Sequence, residues 1–321
     1  IRNQNIKKAM RRNFSYAFIN ESFDKIYNLL SESIKILPLL DKRKNLVDFA
    51  SSYRISNIPI YEPFLNHKEK EYVKRCMDTG WISSRGEFIK KFENKFEKTI
   101  KCKNSISVNS GTSAIILSLL SIGIKPGDEV IVPNFTFMAP WNAIILLGGK
   151  PVPVDVEIDT MNIDPSKIEK KITKKTKAII IVHLYGCPAN ITKIMNIKKK
   201  YNLYLIEDCA EAIGSYYKNK HVGLFGDVGT FSFYGNKTIS TGEGGMVVYK
   251  KKKYFNKAKL IKNHGMSDKK RYFHSYFGSN FRMTNIQAAI GLAQLEKYKT
   301  IIQKKNKLNK IYINAFKDCK S

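Results

Sequence analysis

The chain has 321 residues, 43% of them hydrophobic, and carries 56 lysines and arginines against 27 aspartates and glutamates, a formal charge of +29. That length and apolar content allow one large domain, or one large and one small. No apolar run reaches the length of a membrane span, the first residues are too polar and basic for a signal peptide, and the five cysteines form neither a CxxC pair nor a regular framework. These features point away from a membrane protein and a disulfide-bonded secreted one, towards a reduced, cytoplasmic chain. The lysines fall in short runs at the ends of elements, as at 198–200 and 250–253, without a recognisable nucleic-acid motif. A lysine-rich surface is therefore expected rather than a nucleic-acid partner.

Residues 1–57 read as a separate N-terminal extension, partly helical. Ile26, Leu29, Leu30, Ile34 and Leu37 recur at helical spacing up to Pro38, which predicts an amphipathic helix. Residues 58–64 form an extended entry with two prolines. A polar helix over 68–78 follows. The turn 79–86, which contains Trp81, fits ordinary punctuation as well as a ligand-contacting loop. A second helix starts near Glu87 and carries Phe88, Phe92 and Phe96.

From residue 104 the pattern becomes strand, turn, helix, repeated. A strand over 105–108 leads through Asn109, Ser110, Gly111, Thr112 and Ser113 into an apolar helix over 114–120. Glycine and hydroxyl residues at a helix start can hold a phosphate on free N–H groups; a plain helix cap has the same composition. Strands follow over 129–132 and 152–156. Between them Phe137 suits either stacking on a flat cofactor or core packing. The apolar run 178–182 ends at His183, at the strand end where open α/β sheets bind ligands. The same residue also suits a hydrogen-bonded structural role.

Two further strand ends carry the chemistry. The run 204–206 ends in Glu207 and Asp208, and the aromatic run 230–234 delivers Lys237 just before a turn holding Gly242, Gly244 and Gly245. A buried ammonium is costly unless paired or neutral, and a neutral amine attacks carbonyls. An acid and a lysine 29 residues apart, each at a strand end, suit pyridoxal phosphate (PLP): the lysine for the cofactor's aldehyde, the acid for its pyridinium nitrogen. After a helix over 285–298 comes a basic tail. The alternation predicts one α/β domain with a mostly parallel sheet over 58–285, and the start of a truncated small domain over 286–321.

The segments SVNSGTSA, GDEVIVPNFTF, AIIIVHLYG, LIEDCAEAIGS, GDVGTFSFYGNKTISTGEGGMVV, NHGM and NFRMTNIQAAIGLAQLE together resemble the DegT/DnrJ/EryC1/StrS family, from about residue 58 to 295. The resemblance implies the aspartate aminotransferase fold (PLP fold type I) and transamination of a nucleotide-bound 4-keto-6-deoxyhexose, foremost the GDP-mannose-derived one, with glutamate as donor. It implies Lys237 as the Schiff-base lysine, Asp208 as the pyridinium partner, Glu211 at the ring's oxygen edge and Phe137 stacked on the ring. Gly111, Thr112, Ser113 and Ser232 would hold the phosphate, and Asn280 would reach the cofactor phosphate of a partner subunit, making a homodimer with shared sites. Trp81, His183 and His264 are the candidate substrate contacts; no metal is expected. Rival expectations are a different keto sugar, a dehydratase of the same family, which carries histidine where this chain has Lys237, and a non-catalytic basic-surface protein. Family members lack the N-terminal extension and continue well past the helix at Asn285, so a fragment, a truncated gene product or the ordered part of something longer is expected.

Overall fold

The computed structural model describes residues 14–31, 33–51 and 63–317. The chain divides into two compact units, Ile1–Glu62 and Pro63–Ser321. In the first, β1 (Ala17–Phe18), α1 (Phe23–Leu29), β2 (Ile36–Leu40) and β3 (Leu46–Ser51) form a three-stranded sheet and one short helix. The long amphipathic helix expected here is not formed. Leu30 turns extended at the end of α1, and Ile36–Leu40 becomes a strand paired antiparallel with β3. Leu37 and Leu39 alternate inward there, joining Ala17, Ala50 and the partly buried Ile26, Leu29, Leu30 and Ile34. The spacing of Ile26, Leu29, Leu30, Ile34 and Leu37 is helical, but Pro38 has no N–H to continue a helix, and the β-branched Ile34 and Ile36 just before it suit an extended chain. Most of the expected extended entry, 58–62, lies outside the described residues.

The second unit opens with α2 (His67–Thr79) and α3 (Glu87–Ile100) and continues through β4 (Ser105–Val108), α4 (Gly111–Ile122), β5 (Glu129–Pro133), α5 (Ala139–Leu146), β6 (Lys150–Val154) and the short α6 (Pro165–Ile168). Then come β7 (Thr176–Val182), α7 (Ile191–Lys200), β8 (Tyr204–Asp208), the hairpin strands β9 (Tyr216–Tyr217) and β10 (Lys220–His221), β11 (Val228–Ser232), β12 (Gly245–Tyr249), α8 (Lys252–Ile261), α9 (Asn285–Glu296) and α10 (Tyr298–Ala315). Seven strands make one sheet in the order β4-β12-β11-β8-β7-β5-β6. Only β12 runs against the others. The strand expected over 152–156 lies two residues earlier, and the helix expected over 285–298 breaks at Lys297.

Alternation along the strands builds a core on each face of the sheet. Ile131, Ile179, Ile181 and Leu205 face one core with Phe88, Phe92 and Phe96 of α3 and the apolar side of α7. Val130, Val132, Ala178, Ile180 and Ile206 face the other, with α4 and α8. α9 packs on α3 and α2, close enough that a Cβ on Gly291 would stand 2.6 Å from the Phe92 ring. The outer edge of β4 is covered by carboxylates of α3: Glu97 accepts from the Ser105 N–H at 2.9 Å and Glu93 from the Ser107 N–H at 2.8 Å. Charged cover of this kind keeps an edge from pairing with another chain. Among the described residues no helix is long and apolar enough to cross a membrane, and Cys76, Cys102, Cys187 and Cys209 are free thiols.

Phe92 is fully buried and meets Phe233 edge-on at 5.3 Å between ring centres. Phe92→Ala is expected to lower stability by about 3–5 kcal/mol in urea unfolding. A loss under about 1 kcal/mol would mean that the α3 face is not the packed core described.

Candidate active site

The carboxyl ends of β4, β5, β7, β8 and β11 open on one cleft of about 580 Å3. At its base, Ser110 caps α4, its Oγ accepting from the Ser113 N–H at 3.1 Å. The N–H groups of Gly111 and Thr112 have no carbonyl one turn back, so they remain for a ligand at the positive end of the helix. Gly111 is required: any Cβ there would stand 2.8 Å from Cβ of Ser232, the last residue of β11. The helix start and the strand end thus approach closely enough to share one anion.

Asp208 ends β8 and is 6% exposed. Its Oδ1 accepts from the Ala210 N–H at 3.0 Å. Burial pushes its carboxyl up from the ordinary 3.8 to about 6, against the opposing pull of that N–H and of nearby Lys237. Lys237 sits in the turn after β11, its own N–H bonded to the Tyr234 carbonyl at 2.9 Å. Its Nζ lies 3.3 Å from Oε1 of Glu211, whose Oε2 accepts from the Tyr185 N–H at 2.9 Å. Phe137 stands at the rim, 80% exposed.

Gly111, Thr112, Phe137, Asp208, Glu211, Ser232 and Lys237 therefore line one cleft. Ser113 lies just behind it, its side chain turned to Ser110. The other expected contacts do not gather there. His183 is fully buried: its Nδ1 accepts from the Ala189 N–H at 3.1 Å, so the proton is on Nε2, which meets Glu207 at 3.1 Å. That pairing leaves it no face for a substrate and corrects the expectation. Trp81 borders a different cavity, on the side of α2 and α3. His264 lies in the loop after α8, its N–H bonded to the Ser279 carbonyl; Asn280, expected at a partner's cofactor rather than in this cleft, is in the same loop, its Oδ1 accepting from Arg282 Nε at 2.8 Å.

Sequence reasoning missed Tyr185, Tyr234 and Asn236 as cleft residues. Tyr185 holds φ 50°, ψ 24°, a left-handed conformation uncommon for an aromatic residue, with Glu211 gripping its N–H. The adjoining Gly186 after a strand end was the available signal.

The donor set fits pyridoxal phosphate: an amine, a buried carboxylate below it, free N–H groups at a helix start, a glycine that admits an anion, and an aromatic ring at the rim. Residues 63–321 match the DegT/DnrJ/EryC1/StrS aminotransferase family. The chain belongs to that family. It is 51% identical to the GDP-perosamine synthase of Escherichia coli O157:H7 over 79% of this chain and 70% of that protein. Among solved structures, the aminotransferase from Psychrobacter cryohalolentis superposes with a TM-score of 0.71 at 36% identity, covering 74% of this chain and 63% of that one. The chain thus spans less than two thirds of that solved chain. The PLP-form of Spr1654 from Streptococcus pneumoniae, described as a sugar aminotransferase, superposes with a TM-score of 0.77 at 29% identity, covering 82% of this chain and 72% of that one.

Because Asp208 has a folded value of about 6 against an ordinary 3.8, the folded chain holds this proton more tightly than the unfolded one. Its contribution favours folding at low pH and is lost as pH rises through about 6. In the cofactor-free protein, Asp208→Asn is expected to be more stable than the parent at pH 8 by up to about 3 kcal/mol. The difference should vanish below about pH 4. Urea unfolding at the two pH values checks this; equal stabilities at pH 8 would mean the carboxylate is not desolvated.

Proposed function

We propose that this chain carries the cofactor machinery of a PLP-dependent transaminase acting on a nucleotide-bound keto sugar. The sugar nucleotide is GDP-4-keto-6-deoxy-D-mannose, the product GDP-perosamine and the amino donor L-glutamate. The observation that carries the reading is the pairing of Lys237 with a buried Asp208 in one cleft over the free helix start at Gly111. The 51% identity to a GDP-perosamine synthase supports the choice of sugar nucleotide, and the +29 charge suits an acidic substrate.

When bound, the cofactor supplies an electron sink for the bonds at the donor's Cα. The Gly111 and Thr112 N–H groups and the Ser232 hydroxyl would hold its phosphate. Phe137 would orient the ring. Asp208 would keep the proton on the ring nitrogen, its carboxylate gaining the cation that its burial now denies it. Lys237 Nζ would hold the cofactor's aldehyde carbon at rest. When not so bonded, it would carry the proton from the donor's Cα to the carbon that the amine had held. Glu211 stays beside that amine and fixes its direction.

Two further elements belong to the proposal. A homodimer shares its sites, Asn280 of each chain reaching the partner's cofactor phosphate. The domains divide as 58–285, the cofactor-binding body, and 286–321, the beginning of a lobe over the sugar. The unpaired thiols suit a cytoplasmic location.

The test is spectroscopic. With PLP added, the parent is expected to show a visible band that glutamate bleaches. Asp208→Asn should keep cofactor binding within a few-fold and bleach at least about a hundredfold more slowly. Bleaching at the parent rate would remove Asp208 from the ring nitrogen. A band unmoved by glutamate and by other amino donors would remove transamination.

A further inference from the structure

Lys237 rides on an excursion of the chain that closes on one residue. Phe233, the first residue after β11, is fully buried. Its N–H bonds the Gly244 carbonyl and its carbonyl accepts from the Thr241 N–H, both at 2.8 Å. Residues 234–240, with the amine among them, therefore stand on a base made of Phe233, Thr241 and Gly244. The returning limb is packed, with Ile239, Ser240 and Thr241 all buried. No Cβ fits on Gly244, which lies against Thr241 Oγ1 and the Met283 side chain. Within this base the Glu243 carbonyl accepts twice. One bond comes from Thr241 Oγ1 at 2.7 Å, the other from Nε2 of Gln287, 44 residues further on, also at 2.7 Å.

Gln287 is the third residue of α9 and closes its capping box, Oε1 accepting from the Thr284 N–H at 2.8 Å and from Thr284 Oγ1 at 2.9 Å. The helix needs only that acceptor, which a glutamate would supply as well. The amide alone adds a donor at its other end. Its direction is forced, because the Thr284 N–H can only donate and the Glu243 carbonyl can only accept. The helix start is itself anchored. Asn285, 1% exposed, donates from Nδ2 to the Trp81 carbonyl at 2.7 Å and accepts on Oδ1 from the Phe88 N–H at 3.0 Å. One turn of α9 thus joins the start of α3 to the turn behind Lys237. Gln287 is not among the walls of the cofactor cleft, so its route to the amine is the main chain at Glu243.

We infer that Gln287 is a positioning residue for Lys237, its amide fixing the base of the loop that carries the amine. The inference rests on the transaminase reading above and adds to it a residue outside the cleft. Glu211, 3.3 Å from Nζ, aims the end of the lysine side chain, but it does not hold the backbone from which that side chain starts. A displacement of about 1 Å far from the chemistry can slow a reaction about a hundredfold. A loop based on four small or β-branched residues needs such a hold, and the Gln287 amide supplies it from a helix start that is already pinned.

Two variants of the full chain separate the donor from the cap. Gln287→Glu keeps the acceptor for Thr284 and loses the donor, whereas Gln287→Met loses both and carries no charge. In the cofactor-free protein, amide hydrogen exchange over 234–243 is expected to run at least about tenfold faster in both, with β8 and β11 exchanging as in the parent. With PLP at saturation, glutamate should bleach the visible band about tenfold more slowly in both, at a half-saturating glutamate concentration within a few-fold of the parent's. A merely structural loss would reduce the amount of band and leave the rate of what remains. Parental exchange over 234–243 in Gln287→Glu, which keeps the cap, would overturn the inference, and so would bleaching at the parental rate in that variant. Slower bleaching confined to Gln287→Glu would assign the effect to the new charge and overturn it too. Faster exchange over 234–243 in the variants, with no visible band in the parent, would fail the transaminase reading and keep the hold of Gln287 on the Lys237 loop.

Discussion

Glu207 and Asp208 are consecutive on β8, so their side chains leave opposite faces of the sheet, and both carboxylates are buried, at 0% and 6% exposure. Two adjacent buried acids are tolerable only if their charges are handled differently. Glu207 is spent on structure. Burial alone would raise its carboxyl, but His183 and the N–H groups of Gly226 and Gly223 outweigh that and hold it below the ordinary range. Its oxygens accept from Gly223, Phe225 and Gly226 at 2.6–2.8 Å and meet His183 at 3.1 Å. That network fixes the approach to β11 and the end of β7 on either side of Asp208. Asp208 has a single N–H bond and is left under-satisfied, poised for a cation.

The rest of the cleft follows from where the strands end. β8 and β11 pair in parallel, with Asp208 opposite Thr230, so Ser232 and the turn bearing Lys237 rise beyond the carboxylate. β12 returns antiparallel beside β11 and β4 beside β12, which brings the start of α4 back to the same end of the sheet. Glycine at 111 lets that helix start reach Ser232. The acid, the amine and the anion cradle thus belong to three elements held in register by backbone pairing, and small side-chain changes do not move them independently.

Much of this was legible in the sequence, for identifiable reasons. Buried strands such as 178–182 and 204–208 are short apolar runs ended by a polar residue, and a parallel sheet places those ends together. Lys237 and Asp208 could be paired because each broke an apolar pattern at a strand end. His183 had the same signal, but its partner was the carboxylate of Glu207, and no spacing rule tells which of two neighbouring acids a histidine will find. In the first unit, Ile26, Leu29, Leu30, Ile34 and Leu37 follow helical spacing, yet Ile36–Leu40 is a strand, and the pairing with β3 that settles it is visible only in three dimensions. Tyr185 was unreadable because its place in the cleft depends on a left-handed backbone that Glu211 stabilises from 26 residues away. The role of Asn285 in pinning the loop at Trp81 spans more than 200 residues and leaves no local trace.

Transamination in this cleft requires Lys237 to be the amine that meets the cofactor. Incubating the protein with PLP, reducing with borohydride and mapping the peptides by mass spectrometry tests this directly, because reduction makes the bond between amine and cofactor permanent. Stoichiometric phosphopyridoxyl label is expected on Lys237, with the other lysines labelled only in traces. A label spread over the surface lysines, or concentrated on any residue other than Lys237, would contradict it.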